Sequence, residues 1–86
     1  MTHNKKEEIK KKIIYRSSYR GTKEMDILMT SFVKSIINEL DLNQLILLDE
    51  FINYDDELLK SIKVDGEKLN LNPDLNFIIK KFCNFN

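Results

Sequence analysis
The sequence predicts an all-α fold, a compact bundle of five helices of which two are short. Three observations predict it. Apolar residues recur at three- and four-residue steps through most of the chain, the spacing of one helix face. The β-branched alternation of strands is absent, and one Pro and two Gly leave few breaks. Capping residues stand ahead of the apolar runs, at Thr22, at Asp41, at Asp55 or Asp56, and at Asn72.

The first helix is expected from Lys5 to about Tyr19. Ile9 and Ile13 make one stripe with the stem of Arg16, and Ile14 widens it. Gly21 follows as a natural stop, because only glycine enters the left-handed conformation there without penalty. Thr22 then caps a second helix, from Lys23 to about Glu39. Glu24 and Asp26 fall in its first turn, where the helix dipole favours negative charge by about 0.3–1 kcal/mol each. Met25, Leu28, Met29, Phe32, Val33, Ile36, Ile37 and Leu40 give it the strongest amphipathic pattern in the chain.

Asp41, with Gln44 three residues on, has the form of a capping box and starts a third helix. Leu45, Leu48 and Ile52 face the core, with Leu42, Ile46 and Phe51 beside them, and Asn53 or Tyr54 ends the helix. A short fourth helix runs through Leu58, Leu59 and Ile62, and Gly66 closes the loop after it. Asn72-Pro73-Asp74 opens the fifth: a capping residue, Pro at the first helical position, then an acid. Leu75, Ile78, Ile79 and Phe82 give that helix a narrow apolar face as far as about Cys83. Phe85 follows, free either to fold back or to fray.

Length and composition narrow the functions open to the chain. Its 86 residues suit a single helical domain, 1–86, with residues 1–4 as a disordered tail. A domain of this size buries only about 60–65% of the surface its unfolded chain exposes, which leaves no room for an enclosed cofactor cavity. The single Cys cannot form an internal disulfide, and Cys83 and His3 lie too far apart in sequence to suggest a zinc site. No apolar run reaches the roughly 18–20 residues that span a bilayer. The N-terminal segment is Lys-rich, carries Glu7 and Glu8, and lacks a signal-peptide core. A cytoplasmic protein is expected.

The net charge of zero conceals a strong asymmetry. Residues 1–23 hold eight basic residues against two acidic ones, a net +6, whereas residues 24–59 hold one against nine, a net −8. A basic end on an acidic body steers encounters with a partner, or else is simply a solvated charged surface. The Lys-rich first helix also raises a nucleic-acid-binding reading, which the acidic body opposes because phosphate contacts need a broad positive face. A generic protein-interaction domain is the other alternative.

No catalytic constellation stands out. Asp55, Asp56 and Glu57 are consecutive, so they point in different directions and compete for helix-cap roles. Ser17, Ser18 and Cys83 have no His beside them to activate them. The most unusual surface is the turn Tyr19-Arg20-Gly21-Thr22-Lys23-Glu24-Met25-Asp26. In one reading Gly21 only ends a helix, and Arg20 pairs with Glu24 across the turn for roughly 0–1 kcal/mol. In the other, the bare backbone at Gly21 admits another molecule, Arg20 offers it a planar fork, and Glu24 holds that fork in place. Tyr15 and Tyr19, four residues apart beside Arg16 and Arg20, would extend such a surface.

The stretch from Ile14 to Leu28, with Phe32 after it, resembles the signature of the succinate dehydrogenase assembly factors, the SdhE flavinator family: Arg-Gly-x-x-Glu-x-Asp leading into an apolar helix. Leu47-Leu48-Asp49 and Asp55-Asp56-Glu57-Leu58-Leu59 are similar to the family's leucine-rich helix, acidic turn and short helix. The resemblance runs from about Lys10 to Phe82. Two positions depart from it: Ser61 stands where members commonly carry Trp, and Tyr19 precedes Arg20 where the family is Arg-rich.

The resemblance implies a five-helix protein that binds the flavoprotein subunit of succinate dehydrogenase, and in some bacteria of fumarate reductase. It implies that this protein promotes covalent attachment of FAD to a histidine of that subunit and leaves before the enzyme works. The chain would then be a monomeric, non-catalytic maturation factor that binds no cofactor itself. By match, Arg20, Gly21 and Glu24 become the partner-binding residues, with Asp26 a further candidate and Arg16 and Tyr19 beside them.

Overall fold
The second, third and fourth helices begin where a side chain supplies an acceptor for an otherwise unpaired backbone N–H, and the 3-10 turn before the fifth begins the same way. The computed structural model describes residues 5–66, 69 and 71–85. Over these it contains α1 (Lys5–Ser17), α2 (Lys23–Ile36), α3 (Leu42–Ile52), α4 (Asp56–Asp65) and α5 (Asn76–Cys83). Residues 1–4, expected as a tail, lie outside the described part of the chain.

Thr22 Oγ1 accepts from Met25 N at 3.2 Å and opens α2. Asp41 and Gln44 form the full reciprocal capping box of α3, at 2.8 and 3.0 Å. At α4 the choice falls on Asp55, which accepts from Leu58 N at 2.8 Å. Asn72 accepts from Asp74 N at 3.0 Å. Pro73 begins a single 3-10 turn, Pro73–Leu75, before α5 proper. A second such turn, Ile37–Glu39, finishes α2.

Helix α1 stops at Ser17, two residues short of the expected end. The hydroxyls of Ser17 and Ser18 both donate to the Ile14 carbonyl at 2.9 Å. Thr30, on α2, donates to the Ser17 carbonyl at 3.2 Å. Side chains thus take up carbonyls that further helical turns would have used.

The amphipathic stripes meet in one core. Met25, Met29, Phe32, Val33 and Ile36 of α2 are buried, as are Leu45, Leu48, Phe51 and Ile52 of α3. Phe32 sits at its centre, edge-on to Phe82, Phe85 and Phe51 at centroid distances of 5.0, 5.5 and 6.1 Å. Phe85 therefore folds back onto the core. Ile46, expected beside the core, lies on the outer side of α3 and is exposed. Ser61, where the resemblance leads one to expect Trp, is also exposed, and α4 is seated by Leu59 and Ile62. Helix α1 packs chiefly on α3 and α2, and α4 packs on α5. This arrangement brings the turn after α1 against the corner between α3 and α4.

Candidate functional site
Residues 18–22 connect α1 to α2, and Arg20 turns inward from the middle of this connection. Only 10% of its side chain is exposed. Its Nη1 donates to the Ile52 carbonyl at 2.6 Å and its Nη2 to the Tyr54 carbonyl at 2.7 Å. Those carbonyls lie at the C-terminal end of α3, where unpaired carbonyls and the helix dipole favour a cation. The same guanidinium reaches Asp56 Oδ1 through Nε at 3.0 Å and through Nη2 at 2.9 Å. Arg20 therefore ties the α1–α2 connection to the α3–α4 corner.

Asp56 completes the tie from the other side. Its second oxygen, Oδ2, accepts from the Gly21 backbone N–H at 2.9 Å. Burial pushes the Asp56 carboxyl up. The Gly21 N–H bond, the hydrogen bond and charge of Arg20, and the charge of Lys60 outweigh it and hold the group below the usual carboxylate range. The Arg20 backbone N–H donates to Asp26 Oδ1 from the first turn of α2. Two successive amides, at 20 and 21, are thus held by carboxylates from two different helices.

This geometry changes the reading of Gly21. No described glycine has a positive φ, so Gly21 is not required for a left-handed helix stop. What a larger residue would meet is the Asp56 side chain: a Cβ there would stand 2.9 Å from Asp56 Oδ2 and would have to displace the carboxylate that accepts from the Gly21 N–H. Glu24 also differs from expectation. Its side chain is exposed and pairs with no described residue, so the arginine fork is oriented by Asp56 rather than by Glu24.

The other expected residues lie around this corner. Arg16 directs Nη1 at both oxygens of Asp49, at 3.0 and 3.2 Å. Tyr15 and Tyr19 are 65% and 70% exposed, and their rings meet at a tilt of 48° with centroids 4.7 Å apart. They form one wall of an open groove of about 640 Å³ whose other wall is Asn53, Tyr54 and Asp55. Arg16, Tyr19, Arg20 and Gly21 all border this groove, while Glu24 and Asp26 lie beyond it on α2.

Sequence reasoning missed Asp56 and the two carbonyls at the end of α3. The available signal was indirect: with Asp55 taken as the cap of α4, Asp56 is left with a carboxylate the helix start does not need.

Fold and site together define a small all-α protein that displays one rigid polar corner beside an open groove. The chain belongs to the flavinators of succinate dehydrogenase, whose family model matches residues 11–86. No curated protein and no solved structure matched it. Among the described residues no helix is long and apolar enough to cross a membrane.

Proposed function
We propose that this chain docks on the flavoprotein subunit of succinate dehydrogenase, and of fumarate reductase where that enzyme occurs, and promotes covalent attachment of FAD to a histidine of that subunit. The observation that carries this reading is the family match over residues 11–86. The chain acts as a cytoplasmic monomer and a non-catalytic maturation factor, and FAD stays with the partner.

Attachment requires a histidine nitrogen held against the activated methyl position of the flavin ring, and that reactivity belongs to the flavin. The share of this chain is positioning: it holds an incompletely closed flavoprotein in a reactive arrangement, which lowers the entropic part of the barrier. The docking surface is centred on Gly21 and Glu24, with Tyr19 at its groove side. Arg20, Asp26 and Arg16 support it from beneath and beside. The exposure of Gly21 and of Glu24, which pairs with no described residue, supports this assignment. A bare glycine backbone allows close approach, and a free carboxylate can accept a partner's donor.

A binding titration of purified flavoprotein tests the reading. Wild type is expected to bind. Gly21→Arg is expected to keep its helical circular dichroism spectrum and lose binding, because a side chain there displaces the Asp56 carboxylate and covers the centre of the surface. Normal binding by that variant removes the turn from the interface. A folded wild type that does not bind the flavoprotein overturns the function.

A further inference from the structure
Arg20 is the residue of its motif that looks best suited to grip a partner, yet all three of its guanidinium nitrogens are engaged within the chain. Its side chain is 10% exposed and that of Asp56 is 21% exposed. The motif is therefore divided: Arg20 faces inward, while Gly21 and Glu24 face outward. What joins the halves is one carboxylate. Asp56 Oδ1 receives the arginine and Oδ2 receives the Gly21 amide. The start of α4 does not need this carboxylate, because Asp55 caps that helix.

Resting on the flavoprotein-docking reading, we propose that Asp56 is a positioning residue of the docking surface: it fixes the Arg20–Gly21 peptide plane and the Arg20 side chain and so presents Gly21 and Glu24 to the partner without touching it. Asp56 lies 35 residues beyond Gly21 in the chain, on a different helix. With its carboxylate removed, the Gly21 N–H loses its acceptor and the Arg20 fork keeps only the Ile52 and Tyr54 carbonyls. The turn between α1 and α2 then samples other conformations, and binding must first order it. Pre-ordering of that kind acts on affinity rather than on the rate once bound.

The test uses Asp56→Asn and Asp56→Ala in the full chain, with Glu57→Gln as control, since Glu57 is exposed and among the described residues pairs with Lys60 at the surface. Amide hydrogen exchange reports the geometry without any partner: Gly21 is protected in wild type, loses protection in Asp56→Ala and loses part of it in Asp56→Asn, which keeps one acceptor oxygen in place of two. Flavinylation is then followed against flavoprotein concentration, well below the melting temperature of each variant. The expected result is a rise of about tenfold in the concentration giving half-maximal rate, an unchanged rate at saturation, and no change for Glu57→Gln. If Asp56→Ala does not fold, Asp56→Asn, which keeps the side-chain shape, decides. A merely stabilising role lowers the melting temperature but leaves the half-maximal concentration unmoved, and that outcome overturns the proposal alone. Failure of wild type to bind or to promote flavinylation overturns the docking reading, and this proposal with it.

Discussion
Replacing Arg20 by Ala separates a residue that holds the fold from one that only lies on its surface. The substitution removes three hydrogen bonds, one each to Asp56, the Ile52 carbonyl and the Tyr54 carbonyl, together with the ion pair to Asp56. Breaking a buried pair by removing one partner costs about 3–5 kcal/mol. Asp56 is 21% exposed and keeps its bond to Gly21, so water and the amide offset part of that cost. A loss of about 2–4 kcal/mol remains. A domain of this length has a total stability of about 4–13 kcal/mol. At about 4–8 °C per kcal/mol, the midpoint of thermal unfolding falls by about 8–32 °C. Glu24→Ala removes an exposed, unpaired carboxylate near the start of α2 and costs less than about 1 kcal/mol. Urea titrations followed by far-ultraviolet circular dichroism measure both variants. The reasoning is refuted if Arg20→Ala loses no more stability than Glu24→Ala.

Two further outcomes follow from the same packing and electrostatics. Gly66→Ala is expected to destabilise by about 1–3 kcal/mol, because a Cβ there would stand 2.8 Å from Ile79 Cγ2 and 2.9 Å from Cys83 Sγ; a urea midpoint equal to wild type contradicts it. Asp56 has a folded-state pKa below its unfolded value, so its contribution is present above the unfolded value of about 3.9 and is lost as pH falls through the folded one. The stability gap between wild type and Asp56→Asn should therefore be widest near neutrality and close in acid, whereas a gap constant with pH in urea titrations contradicts the assignment.

The starts of the helices were legible because their signals are local. Thr22, the Asp41–Gln44 box and Asn72-Pro73 each act within three residues. The stripe of Met25, Met29, Phe32, Val33 and Ile36 was legible for the same reason, since helical spacing alone assigns it to the core. The end of α1 was not: it depends on Thr30 reaching across from α2. The turn residues were visible as unusual, but their division of labour was not. Gly21 suggests backbone freedom, yet its φ is not positive and what a side chain there would meet is the Asp56 carboxylate. Arg20 was read with its neighbour Glu24, yet its partner is Asp56, 36 residues away. Spacing within one helix cannot report a pairing that only the packing of α1 and α2 against the α3–α4 corner creates.

Covalent flavin content tests the central claim most directly. The succinate dehydrogenase flavoprotein of the same organism is produced with and without this chain, denatured, separated on a gel and read by flavin fluorescence. The expected result is a clear rise with wild type, retained with Glu57→Gln and lost with Gly21→Arg. No rise with wild type, when both proteins are shown to be folded, contradicts the proposed function.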